Sequence, residues 1–145
     1  MSKLIDEQMH RLRSAMDKEL SISQNLFLMN MIQLDKKSIR AFLDSQGMSC
    51  IGVYGLGKVG RVFVELLARE GVKVRYVVDK DLNAQAEFYT TIHSVLDMTD
   101  DIDAMIITSD FYFDEIKEEI LAHRDVQIVL LHDMLESIAT IPISV

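Results

Sequence analysis

The sequence predicts an α/β fold, with a doubly wound, mostly parallel five-stranded sheet and an N-terminal helical extension. Three observations carry this prediction. After Gly47, short apolar segments of strand length alternate with amphipathic helical segments. A glycine-rich turn joins the first predicted strand to the first helix of that alternation. Apolar residues make up 49% of the 145 residues, enough to bury a core.

The first 47 residues are predicted to be a helical extension. One apolar stripe recurs at helical spacing, at Ile5, Met9, Leu12, Met16 and Leu20. Residues 21–25 either interrupt this helix or begin a second one. Residues 26–34 are apolar almost all round, so they must be covered on more than one side. We therefore expect residues 1–34 to mediate homo-oligomerisation.

A short helix is expected to follow, with Asp35 as its N-cap and Gly47 at its end. The domain after it, residues 48–145, is predicted to contain five strands and the helices between them. The strands are expected at 50–54, 72–78, 87–91, 104–108 and 126–131, and the helices at 58–70, 111–123 and 132–138, with a helical turn at 94–97. Apolar strands at this spacing indicate a parallel sheet covered on both faces, with the order 3-2-1-4-5.

The turn after the first strand has the pattern Gly-x-Gly-x-x-Gly and lies between a predicted strand and a predicted helix, as in dinucleotide-binding folds. Gly55 permits a tight turn, Gly57 lets backbone approach a pyrophosphate, and Gly60 lets the helix pack close to the sheet. The helix N-terminus then offers N–H groups to an anion. The candidate ligand-binding residues of this Rossmann-type turn are Gly55, Leu56, Gly57, Lys58, Val59 and Gly60.

Asp79 ends the second predicted strand, nineteen residues after Gly60. A carboxylate there can accept hydrogen bonds from a ribose and repels a 2′-phosphate, which favours NAD over NADP. The neighbouring Lys80 weakens that preference. A second interpretation stays open: the turn is only a strand-to-helix connection, and Asp79 is a polar strand end.

Thr108 and Ser109 follow the fourth predicted strand and complete the candidate site. In the order 3-2-1-4-5, the sheet reverses direction between the first and fourth strands, where ligands bind. The glycine turn and Thr108 would then face one crevice. The aromatic residues that follow, 111–113, are interpreted as core or lid residues in preference to a platform on which a ligand stacks.

Charge and composition exclude several functions. The chain has a net charge of −8, and residues 49–145 carry eight basic against seventeen acidic residues, which argues against a nucleic-acid partner. The four histidines show no metal-ligand spacing. No secretory segment or membrane span is expected, so the prediction is a cytoplasmic protein. No catalytic residue is assigned.

The stretch 36–138 resembles a bacterial group of small Rossmann-like nucleotide-binding modules, alone or attached to sugar-modifying and polysaccharide-assembly proteins. The motifs that carry this resemblance are I-x-V-Y-G-L-G-x-V-G at 51–60, V-x-Y-V-V-D at 74–79 and D-x-D-A-M-I-I-T at 101–108. The stretch is similar, more distantly, to N-terminal domains of sugar-phosphate acyltransferases and of NAD-dependent sugar oxidoreductases. The resemblance implies a ligand-binding or regulatory module linked to polysaccharide biosynthesis.

Three functions follow as hypotheses. The leading one is a non-catalytic, self-associating module that binds NAD or a related adenine or uridine nucleotide, including nucleotide-sugars. The second is an NAD-dependent sugar oxidoreductase or epimerase subunit that a partner completes. The third is a structural adaptor whose glycine turn binds nothing.

Overall fold

The computed structural model of the protein describes residues 2–143 and contains a five-stranded, all-parallel sheet in the order β3-β2-β1-β4-β5. The strands are β1 (Cys50–Tyr54), β2 (Lys73–Val78), β3 (Thr91–Ile92), β4 (Ala104–Ile107) and β5 (Ile128–Leu130). The helices are α1 (Ser2–Leu34), α2 (Ile39–Ser45), α3 (Lys58–Arg69), α4 (Phe113–His123) and α5 (Leu131–Ala139), with a 3-10 turn at Val95–Asp97. The predicted fold class and strand order are confirmed.

The two faces of the sheet carry separate cores. Helices α1, α2, α3 and α5 cover one face, where Met29, Phe63 and Leu131 are fully buried. Helix α4 and the 3-10 turn cover the other face, around Met105 and Ile120. All four residues of β4 are buried, because the strand lies inside the sheet with a layer on each side. Because both faces of such a strand are covered, its sequence is a continuous apolar run.

Helix α1 is continuous over 33 residues, so both alternatives for residues 21–25, a break or a new helix, are wrong. Polar side chains break helices when they hydrogen-bond to nearby backbone. Here Ser21 and Asn25 instead hydrogen-bond to Asp110, 89 and 85 residues away in sequence. Because these side chains bond to Asp110, they do not compete with the backbone hydrogen bonds of the helix.

The two ends of α1 have different surroundings. Its second half belongs to the main core, because Met29 and Ile32 are in the same buried cluster as Ile39 and Phe63. Residues 2–13 are exposed throughout. At 1.5 Å per residue, residues 2–17 form a projection of about 24 Å before Lys18 reaches Tyr112. The predicted extension 1–47 therefore includes a part that is built into the sheet domain and a part that projects from it.

Several boundaries differ from the prediction. Ser38, not Asp35, is the N-cap of α2, because its side chain accepts a hydrogen bond from the Ala41 N–H. The third strand is only Thr91–Ile92, since the sheet edge pairs with two residues of β2 alone. The fifth strand ends at Leu130, because Leu131 already begins α5. Among the described residues, no helix is long and apolar enough to cross a membrane.

Candidate functional site

The glycine turn lies at the carboxyl end of β1, where the strand order reverses toward β4. Two of its three glycines are required by packing. A Cβ on Gly60 would lie 1.8 Å from the Gly55 carbonyl oxygen, so the helix and the turn approach too closely for any side chain. Gly55 has a φ of +108°, and a Cβ there would lie 2.5 Å from Thr108 Oγ1. Both positions thus serve the fold before any ligand is considered.

Gly57 differs, because a Cβ there would meet nothing within 4 Å. It is the N-cap of α3, and it contributes no side-chain hydrogen bond to the helix end. The first N–H groups of a helix have no partner inside the helix, so those of α3 are available to an anion. Gly57 and Lys58 are both exposed there. The packing of the chain does not explain this glycine, whereas a ligand close to the backbone would.

Leu56 and Val59, the other two residues of the turn, are buried in the core. They anchor the turn in the core. Of the six predicted turn residues, Gly57 and Lys58 are the two that are exposed.

Asp79 lies next to the turn and holds it in place. One carboxylate oxygen accepts a hydrogen bond of 2.7 Å from the Leu56 N–H, and the other accepts one of 2.9 Å from the Asp81 N–H. A carboxylate has about four acceptor positions, so each oxygen keeps one. Asp79 is half-buried and lines the crevice. It can position the turn and accept a hydrogen bond from a ligand at the same time.

Lys80 bridges the mouth of the crevice to α4. Its Nζ lies 2.6 Å from Glu119 Oε2, and that hydrogen bond raises the pKa of Lys80 above its ordinary value. Tyr54 lies nearby at the end of β1. Burial first, and then the charge of Glu119, raise the pKa of the Tyr54 hydroxyl. The charge of Lys80 is thus paired with that of Glu119, and the remaining charged side chains of the crevice, Asp79 and Glu115, are acidic.

Thr108 is buried, and its hydroxyl lies 3.0 Å from the Tyr54 carbonyl oxygen and 3.1 Å from that of Gly55. These contacts tie β4 to the glycine turn, so its hydroxyl serves the scaffold. Ser109 is half-buried and lines the crevice, with its Oγ accepting a hydrogen bond from the Tyr112 N–H. The structure brings both predicted residues to the turn, as the strand order requires.

The crevice on the β2 side of the turn has a volume of about 480 Å³. Its walls come from β1, the end of β2 and the first turns of α4. The lining residues are Tyr54, Gly55, Asp79, Lys80, Ser109, Tyr112, Glu115, Ile116 and Glu119. Pockets of this size accommodate small-molecule ligands.

The β4 side of the turn is closed by α1. A compartment of only about 150 Å³ remains between the turn, Asp110 and the α1 residues Lys18, Ser21 and Asn25. One oxygen of Asp110 accepts hydrogen bonds from Ser21 and Asn25, and the other, Oδ1, is buried without a hydrogen-bond partner in the described residues. The helix therefore occupies the space above β4.

Sequence reasoning missed this contribution of α1. Asn25 is 1% exposed, and its amide oxygen lies 2.8 Å from His132 Nδ1, whose other ring nitrogen contacts Glu136. Ser21 and Asn25 are four residues apart, on the face that continues to Met29. Two polar residues on the helix face that also carries Met29 and Ile32 were the available signal.

Phe111 and Tyr112 stand at the entrance between the two compartments. Both are exposed, and their rings meet edge to face with centroids 4.9 Å apart. Lys18 Nζ lies 5.2 Å from the centroid of the Tyr112 ring, within range of a cation–π interaction. They form part of the rim, and Phe113 alone of the three packs against the core.

No group of three or more potential metal ligands occurs within residues 2–143. Comparisons with protein families, with curated proteins and with solved structures give no match. The resemblance drawn from the motifs therefore stays a prediction.

Proposed function

We propose that the protein is a non-catalytic module that binds one nucleotide, with its phosphate at Gly57 and its nucleoside beside Asp79. The observation that carries this proposal is the pairing of an open, uncapped helix N-terminus with an adjoining crevice of about 480 Å³. The helix end suits an anion, and Asp79 offers acceptor positions to ribose hydroxyls.

Charge gives the ligand its orientation. Asp79, Glu115 and Glu119 line the crevice with Lys80 as its one cation, and Lys80 is paired with Glu119. A phosphate placed there would be repelled. The compartment at the glycine turn has two cations, Lys18 and Lys58, against the one carboxylate of Asp110, and the helix N-terminus adds a partial positive charge. The phosphate therefore belongs at the turn, and the base and sugar belong in the crevice.

Helix α1 limits the size of the ligand. A dinucleotide crosses the switch point and uses both sides of the crevice. On the β4 side, only about 150 Å³ remains beneath Ser21 and Asn25. A mononucleotide, or a nucleotide-sugar whose sugar projects outward, is favoured over fully enclosed NAD. The assignment to polysaccharide biosynthesis rests on the motif resemblance alone.

Self-association through α1 is the second half of the proposal. The projecting part of the helix displays large apolar side chains, among them Leu12 at 55% and Met16 at 62% exposure. Contiguous exposed apolar surface of this kind is typical of interfaces.

Calorimetric titration with AMP, UMP, NAD and a UDP-sugar tests the ligand. We expect saturable binding of a mononucleotide or the UDP-sugar, and its loss in Gly57→Val, where the side chain enters the space reserved for the phosphate. Thr90→Val places the same side chain on an exposed loop residue away from the crevice and serves as the control. Binding that persists in Gly57→Val, or no binding of any of the four compounds by the wild type, would contradict the proposal.

A further inference from the structure

Helix α1 forms one wall of the small compartment at the glycine turn. Gly57 and Lys58 line this compartment of about 150 Å³ from the turn, and Lys18, Ser21 and Ile22 line it from α1. A phosphate placed at Gly57, as in the proposed function, therefore lies against α1 as well as against the turn. The helix belongs to the site and does more than cover it.

Lys18 and Lys58 bring two positive charges to this compartment, and neither is paired with an acidic residue. Within residues 2–143, no carboxylate oxygen lies within 4.0 Å of the ammonium nitrogen of Lys18 or Lys58. Lys18 Nζ lies 5.2 Å from the centroid of the Tyr112 ring, a contact that neutralises no charge. Lys80 in the neighbouring crevice differs, because Glu119 pairs with it. Both charges of the compartment are thus available to an anion.

Asp110 supplies the one negative charge among the described residues that line the compartment. One oxygen of its carboxylate accepts hydrogen bonds from Ser21 and Asn25 of α1, so that charge is stabilised by the helix. Two lysines against one aspartate leave a net charge of +1 on the lining side chains, and the N-terminus of α3 adds a partial positive charge. A doubly charged anion is therefore bound more strongly than a singly charged one.

The size of the compartment restricts what can lie inside it. Pockets that enclose a whole small molecule have volumes of about 300–1,000 Å³. The crevice beside Asp79 reaches that range at about 480 Å³, whereas the compartment, at about 150 Å³, does not. It therefore suits one small group such as a phosphate, while the nucleoside lies in the crevice. A sugar attached beyond the phosphate would have to stay outside.

Charge and size together distinguish a terminal phosphate from a bridging one. A terminal phosphate monoester carries a charge of about −1.5 to −2 at pH 7. A phosphate that bridges to a further sugar or nucleoside carries a single negative charge and needs additional room. The compartment has two unpaired cations and little room, so it favours the terminal group.

We propose that the site is selective for a nucleoside 5′-monophosphate and that Lys18 of α1 binds its terminal phosphate. This inference rests on the proposed function and names the ligand class and the second cation of the same site. Lys18 and Lys58 contact the phosphate from opposite walls, and the N–H groups at the start of α3 donate to it. The nucleoside extends past Gly55, which lines both spaces, to Asp79.

The first experiment compares AMP and UMP with their 5′-methyl phosphodiesters by calorimetric titration. The methyl ester keeps the nucleoside and the phosphate but removes one negative charge. At about pH 8 the terminal phosphate is doubly charged, since its second pKa is about 6. We expect the better of the two monophosphates to bind at least about tenfold more tightly than its methyl ester.

Equal or tighter binding of the methyl ester, or of a UDP-sugar, would overturn the selectivity. If Gly57→Val abolishes that binding, the proposed function stands and only this inference fails. If none of these compounds binds to the wild type, both fail.

The second experiment tests the lysine of α1. Lys18→Met removes the charge and keeps most of the side-chain length, so it should weaken monophosphate binding about tenfold and methyl-ester binding much less. Lys18→Arg should retain most of the affinity. Lys3→Met is the matched control, because Lys3 is an exposed lysine on the projecting part of the same helix. Unchanged monophosphate affinity in Lys18→Met, or an equal loss in Lys3→Met, would remove α1 from the ligand site.

Discussion

Two aspartates that follow the strands on either side of β1, Asp79 after β2 and Asp110 after β4, have different roles because different elements lie above them. Asp79 accepts hydrogen bonds from backbone N–H groups and borders an open crevice. Asp110 accepts hydrogen bonds from side chains of α1 and lies under that helix. In a doubly wound sheet, the strand end supplies a polar group to the switch point. The element packed above it determines whether that group is available to a ligand.

The largest effect on stability is expected at the glycine turn, which lies between the open crevice near Asp79 and the compartment under α1. Gly60→Ala should destabilise the protein by about 3 kcal/mol or more, because its Cβ would overlap the Gly55 carbonyl oxygen and separate α3 from the sheet. Gly57→Ala is the matched control and should cost no more than about 1 kcal/mol, since its Cβ enters open space. Chemical denaturation measures both. Equal losses would show that the two glycines do not differ as described.

On the closed side, Asn25→Ala should lower the free energy of unfolding by about 2–3 kcal/mol. It removes a buried amide, one of the two hydrogen bonds to Asp110 and the partner of His132 Nδ1. Asn30→Ala, at an exposed position of the same helix, should change stability by less than about 0.5 kcal/mol. Similar values for the two variants would mean that α1 is not held over β4 by this network.

On the open side, Asp79→Ala should cost only about 1 kcal/mol, because water can replace the carboxylate at the Leu56 N–H. Its main effect should be weaker nucleotide binding, as the turn loosens and the ribose loses its acceptor. Asp125→Ala, at an exposed loop residue before β5, is the control for the loss of one negative charge. Unchanged nucleotide affinity in Asp79→Ala would remove Asp79 from the ligand site.

The smallest effect concerns the mouth of the crevice. Because burial and Glu119 raise the pKa of Tyr54, its contribution to stability is complete below the ordinary tyrosine pKa of about 10 and is lost as pH rises through the folded-state value. Glu119→Gln should lower the pKa of both Tyr54 and Lys80. NMR titration of ring-labelled tyrosine measures the first shift. A rise in the pKa of Tyr54 would contradict the assigned electrostatics.

The sequence predicted the sheet because each of its signals is local. The first strand was predicted to the residue, since Cys50–Tyr54 is an apolar run that ends at a glycine. The edge strand β3 was predicted over the wrong residues, because only two pairings with β2 define it. The placement of Asp79 and Thr108 beside the turn followed from the strand order alone.

The covering of the β4 side was not predictable in the same way. It depends on Ser21 and Asn25 meeting Asp110 across more than 80 residues of sequence, and no local pattern encodes such a contact. The different roles of the glycines in the turn could not be predicted from the sequence either. Whether a glycine is required by its neighbours or only leaves room for a ligand depends on the space around its Cβ, which differs between Gly60 and Gly57.

The contact between Thr108 and the turn has a consequence for evolution. Gly55, Gly60 and the Thr108 hydroxyl lie within van der Waals range of one another, so a change at one of them alters the fit of the other two. In descendants of this chain, we expect these three positions to be inherited together and to change together, while position 57 drifts freely wherever the ligand is abandoned. A lineage that keeps the trio but loses Gly57 would thus record the loss of binding without the loss of the fold.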